Sequence, residues 1–284
     1  MKGKSKGSKT KLGLPTVFLL CFLFFFAGFY GSALLSQDVP AISPRLRMLE
    51  MVEPDDITAM PHGETGEPSM DSIPFQILSW KPRALYFPKF ATAEQCQNII
   101  EMAKTRLTPS TLALRSGENE ENTKDTRTSS GTFISSSEDE TGTLDFIERK
   151  IAKTTMIPRT QGEAFNVLRY EIGQKYDSHY DAFNPAEYGP QSSQRMASFL
   201  LYLSDVEEGG ETMFPFENGA KLTSYDYKQC VGLKVKPRRG DGLLFYSLLT
   251  NGSIDQTSLH GSCPVINGEK WVATKWIRDQ GRLD

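Results

Sequence analysis

The segment RYEIGQKYDSHYDAF, residues 169–183, carries a strand pattern that ends in His179-Tyr180-Asp181. Residues two apart on an extended strand point to the same face, so His179 and Asp181 can grip one metal ion from one side. His260, far downstream, can close a triangle around the same ion. Two histidines and one carboxylate leave positions open on an octahedral iron, as non-haem Fe(II) oxygenases require. We therefore predict a metal site at His179, Asp181 and His260, with no catalytic side chain beyond the metal centre.

The histidine content of the chain bears on this prediction. Only three histidines are present, and two of them stand in the pattern. The third, His62, lies in a Pro- and Glu-rich stretch and is interpreted as a solvated linker residue. A His-x-Asp followed by a later histidine also arises by chance, in which case these would be ordinary buried or surface side chains. The surrounding sequence has to decide between the two interpretations.

Short runs rich in aromatic and branched residues dominate the chain from residue 164 onward. Turn clusters such as Glu208-Gly209-Gly210 separate them. Several short strands with regular turns indicate a β-sandwich or barrel. The predicted strands are 164–171, 198–203, 231–236, 243–248 and 271–277.

Two helices are predicted ahead of this β-rich region. Thr92 and Gln95 have the spacing of a capping box, and apolar residues follow at helical spacing, which predicts a helix over 92–106. A second apolar stripe predicts a helix around 140–154. The polar, Ser- and Thr-rich stretch 118–137 is predicted to be a loop, either a lid over a bound peptide or an ordinary surface loop.

Several segments around the triad are close to the pattern of one known family. They resemble the prolyl 4-hydroxylase catalytic domain, most closely the plant type, from about residue 80 to the C-terminus. The resemblance implies a mainly β fold with some α, a double-stranded β-helix (jelly-roll) core with flanking helices. The segments are RTSSGTF (127–133), RYEIGQKYDSHYDAF (169–183), RMASFLLYLSDVEEGGETMFP (195–215), VKPRRGDGLLF (235–245) and SLHGSCPVINGEKWVATKWI (258–277).

The resemblance also assigns roles to individual residues. His179, Asp181 and His260 resemble the iron ligands of the family. Lys270 resembles the cation that pairs with the far carboxylate of 2-oxoglutarate, and Tyr170 matches a position that helps to hold this cosubstrate.

Other cations near the C-terminus compete with Lys270 for the anion. Lys275 and Arg278 are the nearest in sequence. Lys275 is an odd number of residues from Lys270, so on a regular strand it faces the opposite side. We therefore predict that Lys270 holds the anion.

Four residues resemble substrate-side positions of the family, namely Arg127, Tyr176, Arg195 and Trp276. For Tyr176 and Trp276, simple packing in the core is the alternative. A groove walled by aromatic rings would suit a proline-rich segment in the polyproline II conformation.

The activity implied by the resemblance is that of a procollagen-proline-type prolyl 4-hydroxylase. Such an enzyme hydroxylates peptidyl proline at C4 in proline-rich secretory polypeptides, such as extensin-like or arabinogalactan-type proteins. It uses Fe(II), O2, 2-oxoglutarate and L-ascorbate, and it releases succinate and CO2. Two alternatives are another 2-oxoglutarate-dependent hydroxylase of secretory proteins, such as a lysyl hydroxylase, and a non-catalytic lumenal binding module. The sequence leaves the oligomeric state open.

The chain departs from the family pattern at four positions, and none of them removes a predicted ligand. Phe133 stands where a tryptophan is often found, and Ser198 where a threonine is common. Gly242 replaces the alanine of GDALLF, and Ser262 replaces the second glycine of HGGCPV. Of these, the change at Phe133 bears on the predicted peptide groove.

The N-terminus combines five lysines in the first eleven residues with an uncharged run over 12–35. A helix of this length crosses a bilayer core about 30 Å thick, which predicts a single transmembrane anchor over 12–35. The basic tail 1–11 should stay in the cytosol, so the chain would be a type II protein of the endoplasmic reticulum or Golgi membrane. A cleaved signal peptide, cut near 31–33, is the alternative, but the apolar run exceeds a typical signal core.

Composition separates the rest of the chain into a stem and a domain. Residues 36–75 contain six prolines with interspersed acidic residues, a composition that cannot bury a core. Residues 76–284 are long enough for one lumenal catalytic domain. Five of the 32 basic residues lie in the first eleven positions, and the remaining 27 face 35 acidic ones, a net charge of −8. This net negative charge argues against nucleic acid as a partner.

Four cysteines remain to be placed. Cys21 lies in the predicted anchor, which leaves Cys96, Cys230 and Cys263 in an oxidising compartment. We expect one disulfide and one free thiol, and we predict the pair Cys230–Cys263 because a crosslink close to His260 would brace the metal loop. Three free thiols are the alternative.

The triplet Asn251-Gly252-Ser253 matches the acceptor for N-glycosylation. Asn and Gly at adjacent positions indicate a surface turn. We predict that Asn251 carries a glycan if this part of the chain is lumenal.

Overall fold

The computed structural model describes residues 13–35, 73–115, 117–222 and 224–281. The chain divides into two compact units, Met1–Pro61 and His62–Asp284. The predicted tail 1–11 and nearly all of the predicted stem 36–75, with His62, lie outside the described residues.

The described part of the first unit is one helix, α1 (Leu14–Leu35). It contains no charged residue, and its described phenylalanine side chains, such as Phe18 and Phe24, are exposed. A search of the described residues finds no helix with both the length and the apolar character that crossing a membrane requires. The transmembrane anchor over 12–35 stays a prediction.

The second unit is mainly β, with short helices in addition. Its helices are α2 (Ala93–Lys104), α3 (Glu120–Thr123), α4 (Thr143–Thr155) and α5 (Pro185–Tyr188). Its strands are β1 (Gln76–Trp80), β2 (Arg83–Phe87), β3 (Thr108–Pro109), β4 (Ser130–Ile134), β5 (Phe165–Tyr170), β6 (Tyr176–His179), β7 (Arg195–Tyr202), β8 (Glu208–Gly209), β9 (Thr212–Phe214), β10 (Leu233–Val235), β11 (Gly242–Tyr246), β12 (His260–Ser262), β13 (Val265–Asn267) and β14 (Lys270–Arg278).

These strands form a large and a small antiparallel sheet. The large sheet has eight strands in the order β1-β2-β11-β7-β14-β5-β4-β3. The small sheet has four strands in the order β10-β9-β12-β6, and β13 pairs with β8 beside it. Neighbours in the sheets are mostly distant in sequence, so the order brings 170–180 and 260–270 together.

The large sheet is covered on both faces. One face packs on α2 and α4, with Phe199 and Leu201 of β7 in that layer of the core. The other face packs on the small sheet, where Leu200 and Tyr202 of β7 join Phe214 of β9. Because alternate residues of a strand point to opposite faces, a central strand that is covered on both sides reads as a continuous apolar run. This explains the SFLLY sequence of β7.

The predicted elements correspond to observed ones. Thr92 caps α2, with both hydrogen bonds of the capping box present, and α4 occupies the second predicted helix. The five predicted strands correspond to β5, β7, β10, β11 and β14.

The stretch 118–137 departs from its predicted loop. It contains α3 and the strand β4, which pairs with β5 in the large sheet. Ser130 and Thr132 of β4 are only partly buried, so the strand has no apolar run that would mark it in the sequence. Its backbone is nevertheless paired with β5 along its whole length. The loop prediction was wrong at this point, and a lid would have to lie in the remaining residues.

Candidate metal centre

Two strands of the small sheet bring the predicted ligands together. His179 is the last residue of β6, Asp181 follows two residues later, and His260 begins β12 directly opposite His179. The His179 Nε2 and His260 Nε2 atoms each lie 3.6 Å from a carboxylate oxygen of Asp181. One donor atom from each residue lies within 4.8 Å of the others, so a single ion can be shared by all three.

Backbone carbonyls fix the orientation of both imidazoles. The Nδ1 of His179 lies 2.9 Å from the Asp177 carbonyl oxygen, and the Nδ1 of His260 lies 2.9 Å from the Ser258 carbonyl oxygen. Since a carbonyl only accepts, each Nδ1 carries the proton and donates it. Each Nε2 therefore presents a lone pair to the Asp181 side, the arrangement that metal-binding histidines usually have.

The charges of the three groups suit a divalent cation. Burial lowers the pKa of His260 to about 4, although the Asp181 carboxylate raises it, so the imidazole is neutral near pH 7. Burial alone would raise the pKa of Asp181, but the positive charge that His260 carries when it is protonated, together with His179, lowers it well below its usual range, so the carboxylate is ionised. The Ser198 hydroxyl donates to an Asp181 oxygen and holds that carboxylate in place. A donor set of two imidazole nitrogens and one carboxylate fits Fe(II).

A pocket runs inward from the triad to Lys270. His260, Ser262, Thr212, Tyr170 and Lys270 all line it. Lys270 is 1% exposed, its Nζ donates to Ser262 Oγ at 2.8 Å, and it lies 5.2 Å from the centre of the Tyr170 ring. Burial lowers the pKa of the Lys270 amine to about 7. The Lys270 amine is buried and its hydrogen-bond partner, Ser262, is uncharged. The amine is therefore suited to pair with an anionic group of a ligand that enters the pocket.

Aromatic and cationic side chains form the rim of the pocket. The Tyr176 ring stacks on His179 with centroids 3.7 Å apart, and the Arg127 guanidinium lies 4.7 Å from the centre of the Tyr176 ring. Both also line the pocket, together with Trp276.

Arg195 lies behind this rim and does not line the pocket. Its guanidinium lies 3.6 Å from the Trp276 ring centre, and Glu163 accepts two hydrogen bonds from it. Arg195 therefore holds Trp276 in place. Phe133, where the family pattern often has tryptophan, is half exposed beside the same indole.

The competing cations, Lys275 and Arg278, do not line the pocket. Lys275 is buried on the helix side of β14, where it pairs with Glu148 of α4, as the odd spacing from Lys270 predicted. Arg278 donates to Glu163 and to Ser193. Of these three cations, only Lys270 lines the pocket.

The structure pairs Cys230 with Cys263 in a disulfide, while Cys21 and Cys96 are free. The disulfide ties the segment ahead of β10 to the residue that follows β12, three positions beyond His260. Asn251 lies in an exposed turn, where its side-chain oxygen accepts from the backbone and the hydroxyl of Ser253.

Sequence reasoning missed three residues that support the site. Ser198 was noted only as a departure from the family pattern, although it bonds Asp181. Glu163, which holds Arg195 and Arg278, and Thr212, which lines the pocket, were not singled out. Ser198 lies on the face of β7 opposite to Phe199. That position could have identified it as a site residue only if the register of the strand had been known.

Comparisons with known proteins agree with this geometry. Residues 165–278 match the model of the 2OG-Fe(II) oxygenase superfamily. The chain is 73% identical to "Probable prolyl 4-hydroxylase 9" of Arabidopsis thaliana, over 99% of both chains. It is 52% identical to "Prolyl 4-hydroxylase 13" of the same plant, over 98% of both.

Solved structures show the same fold. The viral collagen prolyl hydroxylase of Paramecium Bursaria Chlorella virus-1, in complex with 2OG, is 26% identical with a TM-score of 0.50, covering 69% of this chain and 95% of that one. A prolyl hydroxylase from Trichoplax adhaerens, in complex with a hypoxia inducible factor peptide fragment, is 16% identical with a TM-score of 0.50, and covers 69% of this chain and 83% of that one.

Proposed function

The chain belongs to the plant-type prolyl 4-hydroxylases of the 2OG-Fe(II) oxygenase superfamily, and from this premise we propose that it hydroxylates peptidyl proline at C4 in proline-rich secretory polypeptides. Fe(II), 2-oxoglutarate and L-ascorbate are the cofactors of this activity. The two main sheets, packed face to face, are the halves of a double-stranded β-helix in this proposal.

One observation carries the proposal. His179, Asp181 and His260 converge at the mouth of a pocket whose inner end holds Lys270. A metal site alone would suit many activities, but a metal site joined to a buried cation suits a chelating dianion that spans the two. A non-catalytic binding module would have no need for this combination, so the geometry favours an enzyme.

The residues divide the work by position. His179, Asp181 and His260 would hold Fe(II), while Lys270 and Tyr170 would hold the far end of 2-oxoglutarate. When bound, these two groups supply the oxidising chemistry that consumes O2 and releases succinate and CO2. Ser198 keeps the Asp181 carboxylate oriented, and the hydrogen bond from each Nδ1 to a backbone carbonyl holds both imidazoles with Nε2 toward Asp181. The buried walls exclude water from the reacting atoms.

The rim favours proline over lysine as the target. Tyr176 and Trp276 offer flat apolar surfaces to a proline ring, with Arg127 and Arg195 packed against them. Among the described residues that line the pocket, Asp181 is the only acidic one, and it is occupied as a ligand in this account. A lysine side chain would therefore enter without a counter-charge, at a cost of several kcal/mol. This argues against the lysyl hydroxylase alternative.

The location of the enzyme is part of the proposal and rests on sequence. The lysine-rich tail 1–11 and the uncharged run 12–35 support a type II anchor in the membrane of the endoplasmic reticulum or Golgi. Residues 36–75 would be a stem, and 76–284 the lumenal domain. The exposed Asn251 turn would then meet the glycosylation machinery, and the Cys230–Cys263 disulfide suits an oxidising lumen.

Mass spectrometry of peptide products tests the activity. The full chain would be incubated with Fe(II), 2-oxoglutarate, ascorbate and either a Ser-Pro-Pro-Pro peptide or a lysine-centred peptide of equal length. We expect one added oxygen on proline, together with succinate, and no change in the lysine peptide. Oxygen on lysine alone would favour the lysyl alternative, and no succinate with any peptide would favour the binding module.

A further inference from the structure

The inner end of the pocket contains the hydroxyl of Ser262. Ser262 is the third residue of β12, two positions after His260, and it lines the same pocket as His260 and Lys270. It is 9% exposed, and its Oγ lies 2.8 Å from Lys270 Nζ.

The setting of Lys270 shows what the hydroxyl is for. Among the described residues, Ser262 is the one hydrogen-bond acceptor for the Lys270 amine. Glu211 is near enough for its charge to raise the pKa of Lys270, but the two form no ion pair in this part of the chain. The rings of Tyr170 and Tyr202 surround the rest of the amine. A buried cation is ordinarily paired with an anion, so this end of the pocket is built around an anion that arrives from outside.

A serine hydroxyl can both accept and donate. The Ser262 oxygen accepts from Lys270, and within the described part of the chain its own proton has no protein acceptor. A carboxylate has two oxygens and accepts only. One carboxylate oxygen can therefore accept a hydrogen bond from the Lys270 amine while the other accepts one from the Ser262 hydroxyl. The hydrogen bond between Lys270 and Ser262 holds these two donors side by side.

We infer that Ser262 is a second cosubstrate-binding residue, whose hydroxyl donates to the distal carboxylate of 2-oxoglutarate beside Lys270. The inference rests on the proposed function, and it adds a second donor beside Lys270. The contact selects for a 2-oxo acid that ends in a carboxylate over one that lacks this group.

Calorimetry separates this contact from a general effect on folding. The full chain would be loaded with Mn(II) in place of iron, and titrated with 2-oxoglutarate and with 2-oxobutyrate, which has no distal carboxylate. Ser262→Ala should bind 2-oxoglutarate about tenfold more weakly, because a hydrogen bond to a charged group is lost, and 2-oxobutyrate as before. The KM for 2-oxoglutarate in peptide hydroxylation should rise by a similar factor, with kcat at saturation unchanged.

Ser247→Ala is the matched control. Ser247 is fully buried, its hydroxyl has no hydrogen-bond partner among the residues that the structure describes, and it lies outside the pocket lining. Its replacement should leave the affinity for both ligands unchanged. Ser262→Gly, which also removes the hydroxyl, is a second variant that keeps the inference testable if the alanine variant does not fold, and it should show the same selective loss.

The outcomes distinguish this inference from the proposed function. Equal 2-oxoglutarate affinity in the wild type and both Ser262 variants would overturn the inference and leave the proposed function standing. An equal loss for both ligands would also overturn it, because the effect would then be structural. A wild-type chain that binds no 2-oxoglutarate at all would overturn the proposed function itself.

Discussion

Two buried lysines on β14 allow a matched test of the cosubstrate site. Lys270 is 1% exposed and Lys275 is 4% exposed, but they lie on opposite faces of the strand. Lys270 lines the pocket beside the triad, and Lys275 pairs with Glu148 on the helix side. Methionine preserves most of the packing of either side chain while it removes the charge. Lys270→Met and Lys275→Met should therefore fail in different ways.

Lys270→Met should chiefly weaken 2-oxoglutarate binding. A hydrogen bond to a charged group contributes about 1.5 to 3 kcal/mol, which corresponds to about 10- to 150-fold in affinity. The free energy of unfolding should stay the same or rise, because a buried charge without a counter-charge is removed. Lys275→Met should keep the affinity but lose about 1 to 3 kcal/mol of stability. The Glu148 carboxylate would lose its bond to Lys275 and, within the described part of the chain, keep Arg159 and Ser136 as partners.

The measurements are calorimetric titration with 2-oxoglutarate and denaturant unfolding of both variants. Metal binding, measured in parallel, should be unaffected in each. If Lys270→Met binds 2-oxoglutarate as the wild type does, the assignment of the anion site is refuted. If Lys275→Met instead loses the affinity, the anion lies on the helix side of the sheet.

Three further predictions follow from the same geometry. Burial lowers the pKa of Lys270 to about 7, so 2-oxoglutarate binding should take up a proton at about pH 8 and almost none at about pH 6, and the affinity should fall as the pH rises. Calorimetry in buffers of different ionisation enthalpy measures the number of protons taken up. Equal uptake at both pH values would contradict the prediction. Tyr176→Ala and Trp276→Ala should raise the KM for a proline-rich peptide while leaving peptide-independent succinate formation largely intact, and an equal loss of both would assign these rings to packing. A glycosidase-sensitive mass shift should vanish in Asn251→Gln, and a glycan found on the N-terminal side of residues 12–35 would reverse the proposed orientation.

The parts of the site that share a strand were predictable from sequence. His179 and Asp181 are two residues apart and converge as the period of a strand requires. The same period placed Lys275 on the face opposite Lys270. Local spacing was sufficient in these cases because a single strand fixes the relative directions of its side chains.

Contacts between strands were not predictable from residues alone. Ser198 reaches Asp181 from β7, and Ser262 meets Lys270 across from β12 to β14. Both contacts depend on strand order and register, which hydrophobic alternation in one strand does not determine. The resemblance to the family was needed to connect His260 and Lys270 with His179 and Asp181, because a family pattern reflects strand order and register, whereas spacing within one strand does not.

The edges of the large sheet show a second limit. The β1–β2 hairpin was not predicted, and β4 was assigned to a loop. Strands near an edge bury only part of their side chains, so their sequences lack the apolar runs that marked β5, β7 and β14. The central strands were recognisable because both of their faces are covered.

Proline hydroxylation should depend on iron held by His179, Asp181 and His260. Bound Fe(II) and peptidyl hydroxyproline would be measured in the same preparations of the wild type and His179→Ala. The variant should lose both together, because two remaining ligands cannot hold a labile divalent ion against water. A His179→Ala protein that keeps full iron and full hydroxyproline formation would contradict this prediction.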